Sequence, residues 1–248
     1  MASKIIEISG LKKIYQQGKV QVEALRGVDL VIEEGEFTAI CGPSGSGKTT
    51  LLNLIGALDT PTAGHVRVAG QDLAGMSAGA LAKLRLNQVG FVFQAYNLVP
   101  VLSAYENAEF VMLLQHVPAA ERKKRLATIF HQVGLDGLEK RRPAELSGGQ
   151  QQRVAVARAV AAQPALVLAD EPTANLDSAT GSDLLDMMRD LNETKKVTFV
   201  FSTHDQRVMD RAKRIIVLED GMVAQDNHMD GNGGPAGGKA ADAEEDAA

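Results

Sequence analysis

Two glycine-rich segments of the sequence have the residue types and spacing of anion-binding loops. GPSGSGKTT at 42–50 fits the pattern G-x-x-x-x-G-K-[ST] and lies between the strand-like segment FTAIC and the helix-like segment LLNLIGAL. LSGGQ at 146–150 precedes an alanine-rich stretch with helical character. A helix that begins after glycines presents free backbone N–H groups and the positive end of its dipole. The sequence therefore predicts two phosphate sites in one chain.

The first segment is suited to a nucleoside triphosphate with Mg²⁺. Glycines allow the loop to wrap phosphate oxygens with backbone N–H groups. Lys48 is expected to reach the β- and γ-phosphates, and the Thr49 hydroxyl to bind Mg²⁺. A glycine-rich turn without function is the alternative, but the flanking strand and helix favour the nucleotide site. The predicted nucleotide-binding residues of this loop are Gly42, Pro43, Ser44, Gly45, Ser46, Gly47, Lys48, Thr49 and Thr50.

Two adjacent acids end the apolar segment ALVLADE. Asp170 is suited to hold Mg²⁺ through water, and Glu171 to take a proton from an attacking water, so the two carboxylates have separate tasks. A general base contributes about 10²- to 10⁴-fold in rate. A solvated acidic strand end is the alternative, and the phosphate loop favours the catalytic interpretation because it requires such a partner.

The elements around these residues predict an α/β protein. IIEISG, GVDLVIEE and EFTAICG are β-branched and partly alternating, which indicates an antiparallel or mixed sheet at the start of the chain. From Cys41 onward, apolar strands alternate with helices, the pattern of a parallel sheet covered on both faces. We therefore expect one domain over residues 1–229. It has a P-loop core with a mixed or parallel sheet, an N-terminal antiparallel β subdomain and an inserted α-helical subdomain at about 95–160.

Composition limits the classes of protein that remain. The chain has 248 residues, 45% of them hydrophobic, and a net charge of -5. The acidic, glycine-rich segment 230–248 carries most of this charge and is predicted to be disordered. The nearly neutral remainder gives no basic surface for nucleic acid. Residues 86–105 lack charge but are too polar to span a membrane, so we expect a buried strand and a surface loop there.

The single cysteine, Cys41, excludes an intramolecular disulfide and a cysteine-based zinc cluster. It precedes the phosphate loop directly. Two interpretations are open: a small buried strand residue, or a reactive thiol close to the nucleotide. The N-terminus lacks the long apolar core of a secretory signal, so we expect a chain that is not exported.

Six motifs in register resemble those of the ATP-binding subunits of ABC transporters. They occur in the order of that family between residues 42 and 205, and the resemblance covers nearly the whole of residues 1–229. The motifs are GPSGSGKTT, Gln94 in FVFQ, LSGGQ, LADE at 168–171, NLD at 175–177 and His204 in FSTHD.

This resemblance implies a use for the second glycine segment. In the family, two ATP-binding domains stack head to tail, so Ser147, Gly148, Gly149 and Gln150 of one chain would bind the γ-phosphate held by the phosphate loop of the other. Taken alone, LSGGQ is also compatible with an ordinary serine-capped helix start. Because the chain has one copy of each motif, a homodimer with ATP and Mg²⁺ is the simplest complete unit. Asp177 would then lie across the dimer interface.

The resemblance also assigns roles to three further residues. Tyr15 would stack on the adenine ring, with a partly exposed structural tyrosine as the alternative. His204 would contact the γ-phosphate as a sensor or transition-state support. Gln94 would coordinate Mg²⁺ or the water and connect the site to the helical subdomain.

The same family uses an integral membrane permease as partner, which would place this chain at the cytoplasmic face of the membrane. The apolar loop after Gln94, AYNLVPVLSAYENAEF, is the candidate contact, although it could instead pack the helical subdomain. The sequences of this segment and of LADEPTANLD resemble those of the lipoprotein-release and macrolide-export subfamily, which includes a cell-division branch. Ala174 departs from the glycine that is frequent there. Two other classes are the remaining alternatives: a soluble ABC ATPase of DNA repair or translation, and a P-loop kinase with a small-molecule acceptor, for which LSGGQ would have no use.

Overall fold

The computed structural model describes residues 3–18 and 20–229. The predicted disordered segment 230–248 lies outside the described residues. Within the described ranges, no helix has both the length and the apolar character that crossing a membrane requires.

The described residues contain ten strands, seven α-helices and a short 3-10 helix at Pro143–Glu145. The strands are β1 (Lys4–Gln17), β2 (Val20–Glu33), β3 (Phe37–Cys41), β4 (Ala63–Val68), β5 (Gln71–Asp72), β6 (Val89–Val92), β7 (Leu166–Asp170), β8 (Thr198–Ser202), β9 (Arg214–Glu219) and β10 (Met222–His228). The helices are α1 (Lys48–Ile55), α2 (Ala78–Gln88), α3 (Ala104–Leu114), α4 (Ala119–Gln132), α5 (Gly148–Ala161), α6 (Ser178–Lys195) and α7 (Gln206–Met209).

An antiparallel sheet in the order β2-β1-β4-β5 forms first, as the early segments predict. Burial alternates along β2: Val28, Leu30 and Ile32 are buried, whereas the residues between them are exposed. Such period-two alternation is expected of a strand with one face on the core. This sheet therefore covers one side of the molecule.

The second sheet has the order β10-β9-β3-β8-β7-β6, and all its pairs are parallel except β9 with β10 at the edge. The assignment of the EFTAICG strand to the first sheet is wrong, because β3 lies inside this second sheet. All five residues of β3 are buried. Phe37 and Ala39 pack into one hydrophobic core, whereas Ile40 packs into another. Burial on both faces is the signature of a covered parallel strand.

Two hydrophobic cores enclose the second sheet. Helices α3, α4, α5 and α6 contribute to the core on one face. Helix α1 and the antiparallel sheet contribute to the core on the other face. The covered parallel sheet and the antiparallel sheet at the start confirm the predicted fold class. The strand predicted within residues 86–105 is β6, and a loop follows it.

The carboxyl ends of three neighbouring strands meet at one edge of the second sheet. In register, Ile40 of β3 lies opposite Ser202 of β8, and Ser202 lies opposite Asp170 of β7. The segments that follow these strands are the phosphate loop, Glu171 and the stretch containing His204. In α/β sheets this edge is where ligands bind.

Candidate active site

A cavity of about 580 Å³ opens at this edge of the sheet. It brings together most of the phosphate loop with Gln94, Glu171 and His204. Its wall consists of Val22, Glu23, Ala24, Gly42, Pro43, Ser44, Gly45, Gly47, Lys48, Thr49, Thr50, Gln94, Glu171, Ala174, Ser202 and His204.

The phosphate loop needs glycine at two positions because neighbouring backbone approaches it closely. A Cβ atom on Gly42 would lie 2.0 Å from the carbonyl oxygen of Leu218, and one on Gly47 would lie 2.5 Å from that of Ala24. Both glycines have positive φ, 147° and 102°. Strands β2 and β9 thus fix the path of the loop.

Lys48 occupies the first turn of α1, and its ammonium group turns back over the loop. Its Nζ donates hydrogen bonds to the carbonyl oxygens of Gly42, at 2.8 Å, and Pro43, at 2.9 Å. The side chain is 9% exposed. A positive charge is therefore held inside the loop by neutral acceptors, in a position from which it can bind a phosphate oxygen.

Thr49 and Asp170 converge beside the loop. The Thr49 hydroxyl donates a hydrogen bond to Oδ1 of Asp170 at 3.3 Å. Hydroxyl and carboxylate oxygens are ligands that Mg²⁺ prefers. The buried hydroxyls of Ser46, in the loop, and Ser202, in the cavity wall, have no hydrogen-bond partner among the described residues. Lys48 and the Ser202 hydroxyl in the cavity wall therefore suit an anionic ligand that accepts hydrogen bonds. The Thr49–Asp170 pair beside it suits Mg²⁺.

Glu171 is held by two donors from the segment that follows β8. Its Oε1 is 2.7 Å from Nδ1 of His204, and its Oε2 accepts from the Thr203 hydroxyl at 3.3 Å. The Glu171 backbone N–H donates to the Ser202 carbonyl at 2.9 Å, and its φ of 46° is unusual for a side-chain-bearing residue. At this left-handed turn after β7, the Asp170 side chain contacts Thr49, whereas the Glu171 side chain contacts His204.

Gln94 lines the cavity, and the loop after it is bound to α5 and to the NLD segment. The Asn175 side chain donates to the Gln94 carbonyl at 2.9 Å. Arg158 of α5 donates to the carbonyls of Tyr96, at 3.0 Å, and Asn97, at 2.5 Å. A displacement of this loop would therefore move both Gln94 and the residues of α5 that are bonded to the loop.

The LSGGQ segment forms the start of α5 but none of its residues is among those that line the cavity. Ser147 is the N-cap, with its hydroxyl accepting from the Gln150 N–H at 3.3 Å, and the Gln150 side chain accepts from the Ser147 N–H at 2.9 Å. This capping box satisfies two helix-start donors. Gly149 packs against α6: an added Cβ would lie 2.3 Å from Cγ2 of Thr180.

Four other predicted site residues also lie outside the cavity wall: Ser46 in the phosphate loop, Asp170 beside that loop, and Asp177 and Tyr15. Asp177 is the N-cap of α6 and accepts from the Thr180 N–H at 2.9 Å. The Tyr15 hydroxyl donates to Asp59 at 2.8 Å, and Lys13 lies 4.8 Å from the Tyr15 ring centroid. Burial and the bond to Asp59 raise the pKa of Tyr15. The structure therefore gives Tyr15 a structural hydrogen bond, and its contact with adenine stays a prediction.

Sequence reasoning missed the β2 part of the wall, which comprises Val22, Glu23 and Ala24. The exposed side chain of Val22 is the only local signal, and an exposed valine by itself does not identify a site. Of the two interpretations of Cys41, the structure favours the small strand residue: the side chain is 8% exposed, and burial raises the pKa of the thiol.

The sequence profile of the ABC transporter family matches residues 25–174, more than half of the chain. The chain belongs to the ABC transporter family. It is an ATP-binding domain of that family, an ABC ATPase, and the predicted family resemblance is confirmed.

Similar proteins match this ABC domain over most of its length. It is 48% identical to the lipoprotein-releasing system ATP-binding protein LolD of Anaeromyxobacter dehalogenans, over 91% of this chain and 95% of LolD. It is 44% identical to the macrolide export ATP-binding/permease protein MacB of Sodalis glossinidius, over 93% of this chain but only 35% of MacB. A dimeric post-hydrolysis structure of the ATP-binding cassette MJ0796, bound to ADP and Pi, aligns with a TM-score of 0.84 and 41% identity, over 92% of this chain and all of that one.

Proposed function

We propose that two copies of this chain close around two molecules of ATP with Mg²⁺ and drive a membrane permease. One observation carries the proposal: the two phosphate-binding segments of the chain do not share a cavity. The phosphate loop lines the cavity at the sheet edge, whereas residues 147–150 do not. A second copy can supply the segment that each cavity lacks.

The start of α5 is suited to be that missing half. Ser147 is exposed, and it begins a helix whose dipole and N–H groups favour an anion. Hydrogen bonds to charged groups contribute roughly 1.5–3 kcal/mol each. Because a two-fold pair forms such contacts at both sites, loss of the γ-phosphate would remove several of them together. ATP would therefore close the pair, and hydrolysis would loosen it.

Within one site, each residue would have a separate role in ATP hydrolysis. Lys48 would bind the β- and γ-phosphates, and the 42–50 backbone would wrap them. Thr49, Gln94 and Asp170 would hold Mg²⁺, which supplies positive charge next to the phosphates when it is bound. Glu171 would accept a proton from the attacking water. His204 contacts Glu171 through Nδ1 and would donate from a protonated Nε2 to the γ-phosphate.

The permease has a candidate docking surface beside the loop after Gln94. An apolar groove of about 630 Å³ lies between α2, β6, α3 and α5, and Asn97 and Phe110 are among its lining residues. Leu58, Phe110 and Leu114 line it while staying 46%, 45% and 51% exposed. Such a groove suits the apolar face of a short helix. The interval 95–160 would move as the helical subdomain when this groove is occupied.

The names of two similar proteins indicate which type of permease to propose as the partner. LolD belongs by name to a lipoprotein-releasing system, and MacB by name combines an ATP-binding part with a permease. We propose a permease of this lipoprotein-release or macrolide-export type, with the chain at the cytoplasmic side of the membrane and ATP hydrolysis coupled to translocation. The hydrogen bond from Arg158 to the Asn97 carbonyl, at the groove, would transmit permease docking to the loop that follows Gln94.

Affinity capture from membranes tests the permease proposal. The unmodified chain is expected to retain an integral membrane protein with a short cytoplasmic helix. Leu114→Asp, which puts a charge into the groove, should lose it. Met222→Asp is the matched control, because Met222 is equally exposed, at 48%, but lies in β10 outside the groove. Capture of ribosomes or DNA alone, or equal retention by both variants, would overturn the proposal.

A further inference from the structure

An ion pair lies in the segment that directly follows His204. Asp205 and Arg207 form it: Arg207 Nε donates to Asp205 Oδ1 at 2.9 Å, and Nη2 donates to Oδ2 at 2.6 Å. The two side chains are 16% and 28% exposed. Hydrogen bonds from Arg207 and Thr173 outweigh the effect of burial, which by itself raises the pKa of Asp205, and lower this pKa to about 2. The pair is therefore charged throughout the neutral range.

Asp205 connects the ion pair to both sides of the Glu171–His204 contact. Its Oδ2 accepts from the hydroxyl of Thr173 at 2.6 Å, and Thr173 is 1% exposed. The Asp205 N–H donates to the Thr203 hydroxyl at 2.9 Å. That hydroxyl in turn donates to Glu171. A shift of Asp205 would thus displace residues on either side of the proposed base.

Arg207 extends the connection to the start of α6. Its Nη1 donates to the Asp177 carbonyl at 3.3 Å. The guanidinium also lies over Gly181, where an added Cβ would be 2.7 Å from Nη1. Asp177 is the residue proposed to face the second copy. The ion pair consequently connects the proposed catalytic residue Glu171 to Asp177 at the proposed dimer contact.

We propose that Thr173, Asp205 and Arg207 are positioning residues for ATP hydrolysis. They hold Glu171 and His204 in place relative to Asp177, so that contact with the second copy at Asp177 aligns the base with the γ-phosphate site. This inference rests on the proposed function. It assigns to these three residues a role in turnover, which a merely structural ion pair would not have.

A second ion pair in the same region provides the comparison. Arg211 donates from Nε to Asp186 Oδ1 at 2.7 Å and from Nη2 to Oδ2 at 3.1 Å. This pair also joins α6 to the segment after β8, with the same two-point geometry. Among the described residues, neither side chain of this pair is hydrogen-bonded to Thr173, Thr203 or Glu171, although Arg211 Nη1 donates to the Arg207 carbonyl at 3.2 Å. Loss of the Asp186 carboxylate therefore weakens a contact between α6 and the segment after β8 without removing a hydrogen bond of Asp205 or Thr173.

Steady-state ATP hydrolysis by the full chain tests the inference with four variants. Thr173→Val keeps the shape but removes the hydroxyl, and Thr173→Ser restores the hydroxyl. Arg207→Lys keeps the charge but cannot hold Asp205 and Asp177 together. Since small misplacements of catalytic groups can cost up to about 100-fold, we expect kcat to fall roughly tenfold or more in Thr173→Val and Arg207→Lys. KM for ATP should stay within about twofold of the parent. Thr173→Ser and Asp186→Ala should behave as the parent.

Three outcomes would overturn the inference: unchanged kcat in both Thr173→Val and Arg207→Lys, an equal loss in Asp186→Ala, or a loss in Thr173→Val that Thr173→Ser does not restore. If Thr173→Val fails to fold, Arg207→Lys decides alone. Failure of the proposed function looks different, because the unmodified chain itself would then show no ATP turnover.

Discussion

His204 Nδ1 lies 2.7 Å from Oε1 of Glu171. An ionised Glu171 carboxylate can only accept a hydrogen bond, and in that state the contact requires a proton on Nδ1. The other ring nitrogen, Nε2, can donate to a phosphate oxygen only when it carries a proton as well. The imidazole is 75% exposed, whereas the Glu171 side chain is 17% exposed. The pair thus presents a fixed base and an accessible ring at the same cavity wall.

Glu171→Gln is expected to bind ATP but to turn it over at least about 100-fold more slowly than the parent, because the amide cannot take the proton from water. Fluorescent nucleotide titration and single-turnover hydrolysis separate the two effects. Equal hydrolysis rates in the variant and the parent would contradict the role of Glu171 as base.

Asp170→Asn is expected to raise the Mg²⁺ concentration needed for half-maximal hydrolysis, since the Thr49–Asp170 pair loses its charge. Nucleotide binding in the presence of a chelator should not change, because Lys48 and the loop backbone are untouched. A Mg²⁺ titration of hydrolysis rate gives the answer. An unchanged Mg²⁺ requirement would show that the metal binds elsewhere.

Gly149→Ala is expected to destabilise the chain by about 1–3 kcal/mol, the usual cost of overpacking. The new Cβ would lie 2.3 Å from Thr180 Cγ2. Thr180→Ser removes that methyl group and keeps the hydroxyl that donates to Asp177. The double variant should therefore recover most of the lost stability in urea unfolding. Equal stability of the single and double variants would contradict this packing.

Arg207→Ala is expected to lose on the order of 1–2 kcal/mol of stability at pH 7, because the Arg207 side chain supplies part of the effect that lowers the pKa of Asp205 from 3.8 to about 2, and Thr173 supplies another part. A depressed carboxyl pKa stabilises the folded state above the unfolded pKa, and this contribution disappears as the pH falls from about 4 to about 2. Urea unfolding of parent and variant should therefore converge in that window. A difference that persists unchanged at pH 2 would contradict an electrostatic origin.

Part of the cavity wall follows from local motifs, because these motifs come after strands whose carboxyl ends meet. The phosphate loop, Glu171 and His204 each come directly after a buried strand, so parallel pairing alone brings them together. Gln94 follows β6, a strand of the same sheet, by the same logic. The fold class and the family could thus be predicted from the sequence.

Relationships between distant residues could not be predicted in this way. The β2 contribution to the wall depends on how the antiparallel sheet lies against the loop, as the close approach of Ala24 to Gly47 shows. The misassignment of β3 has a similar cause: FTAIC is short and β-branched in part, and only burial on both faces places it in the parallel sheet. The Asp205–Thr173 bond joins residues 32 positions apart and leaves no sequence period.

Sedimentation of Glu171→Gln with saturating ATP and Mg²⁺ measures most directly whether two copies complete each other's sites. The account predicts a dimer with ATP and a monomer with ADP. It also predicts that Ser147→Arg added to Glu171→Gln leaves nucleotide binding to the monomer intact but prevents dimerisation. A Glu171→Gln chain that stays monomeric with ATP, or a double variant that dimerises equally well, would contradict it.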